Sequence, residues 1–153
     1  MLRLSKLADY GCQVMAYMAR DKAIHSATEV ATGLGMAAST VSKILKMLAR
    51  QDLVVSVMGA KGGYVLAQHP DEISVAEIIC AMDGPISITE CSSDTACTRE
   101  SLCLTRGNWQ GINRIIQGAL EKVSLAEMIK PKPANSGRQV VDVSSIRTRR
   151  VTA

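Results

Sequence analysis

Three cysteines, Cys91, Cys97 and Cys103, recur with five residues between neighbours. The stretches between them, Ser92-Ser93-Asp94-Thr95-Ala96 and Thr98-Arg99-Glu100-Ser101-Leu102, are polar and hold almost nothing to bury. A structural cysteine is a small hydrophobe and belongs on an apolar face, so these three need another explanation. Thiolates are soft ligands that select Zn(II), Cu(I) or iron–sulfur clusters. Zinc sites use cysteine pairs two to four residues apart and four Cys or His ligands in all. No such pair occurs here, and neither His25 nor His69 lies near the loop; each is single, lies in a turn and reads as a solvated residue. A wide three-point loop suits a bulkier cluster. Clusters ordinarily take four protein ligands, so a fourth must come from elsewhere in the fold or from a partner subunit. Two other chemistries remain open: free thiols that oxidise to a disulfide without metal, and a zinc ion that only fastens the loop. Cys12 and Cys80 each fall inside a helical apolar pattern and read as small core residues.

The elements that must position this loop follow from composition and periodicity. The 153 residues are 47% hydrophobic, enough for one packed domain with a small appendage. There is no Phe, one Trp and three Tyr, while Met contributes eight. Such a core favours packed helices over a large sheet. Charge is unevenly placed. Residues 1–70 hold eight Lys/Arg against four Asp/Glu, residues 71–130 five against nine, and residues 131–153 five against one. A basic front half before an acidic middle suits a nucleic-acid reader joined to something else. No apolar run approaches the ~20 residues of a membrane span, and the N-terminus lacks a leader pattern, so the chain reads as mature, cytoplasmic and not membrane-bound.

Leu4, Leu7, Gly11, Val14, Met15 and Met18 predict a first helix over 5–20. Ser26-Ala27-Thr28-Glu29 has the capping-box pattern and opens a short second helix, ended by Gly33 and Gly35. A third helix over 39–51 carries Val41, Ile44, Leu45 and Leu48 as its apolar stripe, with Thr40, Ser42, Lys43, Lys46, Met47 and Arg50 largely off it. Two helices joined by a tight Gly-containing turn, the second polar and basic outside, make a helix-turn-helix. Leu53–Val57 and Tyr64–Ala67 flank the Gly-rich stretch 58–63 and predict a β-hairpin, placed where a wing belongs. Ser74-Val75-Ala76-Glu77 opens a fourth helix that ends at Asp83-Gly84-Pro85, and Ser124-Leu125-Ala126-Glu127 opens a last short one. Between them a long helix over 99–123 presents Trp109, Ile112, Ile116, Ala119 and Val123, widened by Ile115 and Leu120. The organisation expected is a winged helix-turn-helix region over 1–70, a cysteine loop and dimerisation helix over 71–130, and a flexible basic tail over 131–153.

Leu7-Ala8-Asp9-Tyr10-Gly11, the helix-turn-helix, Gly59-Ala60-Lys61-Gly62-Gly63-Tyr64, Val75-Ala76-Glu77-Ile78-Ile79 and the loop ending Cys103-Leu104-Thr105 occur in a fixed order. Together, over residues 1–130, they resemble the family of iron–sulfur- and nitric-oxide-responsive regulators that includes IscR, NsrR and RirA, with the regulator of SUF-type cluster assembly as the nearest branch. The resemblance implies a mainly α, winged helix-turn-helix homodimer paired through the long helix. It would bind palindromic double-stranded DNA and hold a 2Fe–2S or 4Fe–4S cluster on Cys91, Cys97 and Cys103. By position, Ser39, Thr40, Ser42 and Lys43 begin the recognition helix, and Lys61 and Gly62 sit at the wing tip. The implied output is repression of cluster-assembly genes when clusters are abundant. A metal-free thiol-redox or nitric-oxide-responsive regulator is the alternative.

Two positions depart from the family pattern. The IscR branch places a His three residues after the last Cys; here Arg106 stands there, and a guanidinium cannot coordinate. The NsrR branch takes its fourth ligand from an Asp of the partner's first helix, a position filled by Asp9 in this chain. Asp9 of the partner subunit is therefore the expected fourth ligand. At the wing, Met58 replaces the Arg that IscR-like proteins carry before the first wing Gly, which shifts expectation to a phosphate contact from Lys61. An enzyme is not expected: there is no dinucleotide fingerprint after a strand, and the wing glycines do not open a helix as a phosphate loop does.

Overall fold

A computed structural model of the chain describes residues 3–90 and 103–131. Within them the order is α1 (Lys6–Met18), α2 (Ala27–Leu34), α3 (Ala38–Arg50), β1 (Val54–Val57), β2 (Gly63–Leu66), α4 (Val75–Asp83), α5 (Arg106–Glu121) and α6 (Leu125–Ile129). The two strands form an antiparallel hairpin, Val54 opposite Leu66 and Val57 opposite Gly63. This is the expected mainly helical winged architecture.

The core is aliphatic and methionine-rich, as the composition required. α1 buries Ala8, Gly11, Cys12, Val14, Met15 and Met18 and packs on α2, α3, α4 and α6. Gly11 lets α4 approach: a Cβ there would stand 2.7 Å from Met82 Cγ. Val41, Ile44, Leu45 and Leu48 of α3 are all buried, as their spacing predicts. The same buried cluster takes in Ile73, Val75, Ile78 and Leu125.

Helix ends follow local chemistry. Ser74 and Ser124 form complete capping boxes with Glu77 and Glu127. Ser26 does half of this: its hydroxyl accepts from the Glu29 amide at 3.1 Å, but the Glu29 carboxylate is 2.9 Å from His25 Nδ1 instead. Gly35, at φ 63°, is the left-handed C-cap of α2. Gly33 stays helical, and a side chain there would run into the Tyr17 ring.

Three expectations need correction. His25, read as a solvated turn residue, is 4% exposed. Its two ring nitrogens lie 2.9 Å from Asp21 and from Glu29, its ring meets Tyr17 edge-on at 5.5 Å, and its backbone pairs with Tyr64 of β2. The polar break after α1 thus anchors the wing to the helical body. Cys80, read as a core residue, is exposed, because α4 turns Val75, Ala76, Ile78, Ile79 and Met82 inward and leaves Cys80 on the far side. The long helix begins at Arg106, not near residue 99. Leu104 is 98% exposed, so extending the helix back across it would add a turn without burial, and packing is what stabilises most helices.

Candidate nucleic-acid interface and cysteine loop

On α3, Ser39, Lys43, Lys46 and Arg50 are all exposed. Their spacing of four, three and four residues puts them on one stripe, opposite the buried Val41–Leu48 face. Thr40 and Ser42 flank that stripe and are half-buried. Ala37 caps α3 without a side-chain hydrogen bond. Lys46 and Arg50 were left out of the sequence-based site. The signal was present, since continuing the helical period from Ser39 and Lys43 reaches both.

The wing follows α3 directly and packs against it through β1. Lys61 is exposed at its turn. Gly62 donates its amide to the Gly59 carbonyl at 2.9 Å, and a Cβ at Gly62 would run into the Val57 carbonyl, so the turn closes only around glycine. Met58 is 95% exposed. Gly63 lies against the His25 carbonyl with no room for a side chain. The hairpin is therefore held by its own turn and, beside that turn on the outer edge of β2, by the His25–Tyr64 pairing.

Of the cysteine set, Cys103 is described; Cys91 and Cys97 lie outside the described residues, as does the basic tail from 132 onward. Cys103 sits three residues before α5, with Sγ 3.6 Å from Thr105 Oγ1. Its thiol is held below the ordinary cysteine value, first by the Thr105 hydroxyl, then by the Thr105 amide and by the amide and charge of Arg106. These groups stabilise the thiolate, which is the nucleophile and the metal ligand. Cys12 is the opposite case: burial first, then the Asp9 charge, push its thiol up, as suits an inert core residue. Asp9 lies exposed in the first turn of α1, where Gln13 Nε2 donates to it at 3.0 Å. Arg106, at the position of the IscR-branch histidine, opens α5. Among the described residues no group of three His, Cys, Asp or Glu side chains gathers into a metal site.

A family model described as "Rrf2: Iron-dependent Transcriptional regulator" matches residues 4–131. The chain belongs to the Rrf2 family. It is 30% identical over 149 residues to the HTH-type transcriptional regulator IscR of Photorhabdus laumondii, spanning 94% of this chain and 85% of that protein. It is 28% identical over 148 residues to IscR of Sodalis glossinidius. Among solved structures, CymR, the global cysteine regulator of B. subtilis, aligns with a TM-score of 0.68 at 27% identity, covering 87% of this chain and all of that one. T. potens IscR aligns with a TM-score of 0.67 at 27% identity, covering 90% and 93%. This Rrf2 chain is thus a DNA-binding transcriptional regulator of the IscR/CymR type and not an enzyme. No helix among its described residues is long and apolar enough to cross a membrane.

The Thr105 hydroxyl is the largest influence on the Cys103 thiol, and it can be removed almost isosterically. Thr105→Val should move the alkylation midpoint of Cys103 to higher pH and slow its alkylation at pH 7.5 by several-fold. The check is peptide-resolved mass spectrometry of metal-free, reduced protein against iodoacetamide. An unchanged rate means that the thiolate is stabilised by something other than this hydroxyl.

Proposed function

We propose that this Rrf2 regulator is a homodimeric repressor of cluster-assembly genes, of SUF type, that reports iron–sulfur status to a palindromic operator. The observation that carries the reading is Cys103. Its thiolate is stabilised by its neighbours, it completes the spacing begun by Cys91 and Cys97, and it sits three residues before α5. Named relatives of the IscR kind support the same assignment.

The chain's donors fit a cluster. Cys91, Cys97 and Cys103 would be three thiolate ligands, and Asp9 of the partner subunit, an exposed carboxylate on α1, the fourth. Arg106 adds positive charge beside the Cys103 thiolate and offsets the charge that clustered thiolates accumulate. A bound 2Fe–2S or 4Fe–4S cluster supplies an oxidant-sensitive link between the loop and α1. The exposed side of α5, with Trp109, Ile112 and Ile115, is the surface that pairs with a second copy: an apolar helical stripe left open in one chain calls for a partner. For DNA, Ser39, Thr40, Ser42 and Lys43 at the start of α3 would face base edges. Lys46, Arg50 and Lys61, with the Gly62 backbone, would hold phosphates, the usual division along a recognition helix and wing. The stabilised Cys103 thiolate also serves one second reading, in which the same thiols act by oxidation without metal.

Iron, acid-labile sulfide and zinc, measured on protein purified without oxygen, separate these readings. The expected result is iron and sulfide in near-equal amounts, both lost in Cys97→Ala. Asp9→Ala should keep iron but alter the visible spectrum and shorten cluster lifetime in air. Zinc alone overturns the cluster reading in favour of a zinc ion that fastens the loop, and no metal from iron-replete cells overturns it in favour of the thiol switch.

The DNA assignment is tested through salt. Lys46→Ala and Arg50→Ala should each lower the slope of log affinity against log salt by about 1, weakening all sequences alike. Lys43→Ala should cost about 1–3 kcal/mol at particular base pairs and relax specificity there. Slopes equal to that of the unmodified protein would remove Lys46 and Arg50 from the interface.

A further inference from the structure

α5 buries one residue, and it is polar: Asn113, 6% exposed. Its Nδ2 donates to the Ile86 carbonyl at 2.9 Å, and its Oδ1 accepts from the Ile88 amide at 3.0 Å. Both partners belong to the segment that leaves α4. One amide thus satisfies a backbone donor and a backbone acceptor more than twenty positions away, which no aliphatic side chain could do. An apolar residue would take this partner from both backbone groups.

The second attachment of α5 is at its far end. Val75 donates to the Val123 carbonyl at 2.9 Å, Leu125 to Ile73 at 2.8 Å, and Ala126 to Pro70 at 3.1 Å. This backbone seam joins the chain just beyond α5 to the start of α4. Val123, where the seam begins, lies ten positions beyond Asn113, a lever of about 15 Å at the helical rise. Between these points Ile116 and Leu120 are only half-buried. An end seam by itself is a pivot; the Asn113 clamp adds the second point that fixes the angle. A swing of about 10° over that lever moves the helix by about 3 Å, roughly one base-pair step.

We infer that Asn113 is a specificity-determining positioning residue. It sets the angle between α5 and the DNA-reading head, and so the operator half-site spacing that the dimer accepts. The inference rests on the dimeric DNA-binding reading above. Half-site spacing is a geometric property of how two reading heads are mounted, and a residue that only stabilised the fold would change affinity for all spacings together.

The test uses full-length protein and a duplex operator selected from a random library by the unmodified protein, together with versions one base pair longer and shorter between half-sites. Asn113→Leu keeps size and removes both hydrogen bonds; Asn113→Asp keeps the acceptor for Ile88 and loses the donor to Ile86. Sedimentation and circular dichroism verify dimer and helix content. If Asn113→Leu loses helix content, Asn113→Asp is the variant read. The unmodified protein should discriminate against altered spacing by tenfold or more, and the variant read by about threefold or less; Asn113→Leu should also exchange faster at the Ile88 amide, whose acceptor it removes. A folded, dimeric variant with full spacing discrimination overturns the inference. An unmodified protein that is monomeric on DNA overturns the dimer reading and this inference with it, which separates the two failures.

Discussion

The buried face of α1 is the surface on which the rest of the molecule is registered. Ala8, Val14 and Met15 are wholly enclosed, with Met18 close behind, and the helix packs on α2, α3, α4 and α6 at once. The reading helix and the attachment of α5 therefore share one reference. In a core at crystalline packing density, small shifts are transmitted rather than absorbed. Asp9 stands on the outer side of this helix. A cluster bond to Asp9, as proposed, would pull on the element against which α3 is set and so give cluster chemistry a mechanical route to the DNA face.

The wing shows the same economy. Two four-residue strands are too few to be stable alone. The hairpin holds its place because Tyr64 pairs with His25 through both backbone hydrogen bonds, and because the His25 ring is fixed by Asp21, Glu29 and Tyr17. The Asp21 carboxyl, held below its ordinary value first by the Ala23 amide and also by His25, favours the charged form that this contact uses. The placement of the wing thus depends on a polar knot between α1 and α2.

Much of this fold was legible because its periodicities are clean. The stripes of α1 and α3, the caps at Ser74 and Ser124 and the hairpin around Gly59–Gly63 each follow from local chemistry. What local chemistry does not encode is who meets whom. His25 looked solvated because its partners are two carboxylates and a strand backbone, none of which leaves an apolar pattern. Cys80 looked buried because an apolar helix was read without knowing which side faces α1. Asn113 is invisible in a periodicity argument, since a polar residue on an apolar helix is ordinarily a surface residue. At the site, the cysteine spacing and the start of α3 were readable, and the helical period that runs from Ser39 and Lys43 reaches Lys46 and Arg50 as well, all four exposed on one stripe.

The central claim is a linkage: the state of the cysteine loop changes affinity for DNA. Each 1.4 kcal/mol of differential stabilisation is a tenfold change in binding. The most direct measurement is the affinity of one anaerobic preparation for one operator duplex, before and after its iron is removed by a chelator, at fixed salt. The account predicts tighter binding by tenfold or more with iron in place. Equal affinity in the two states would contradict it.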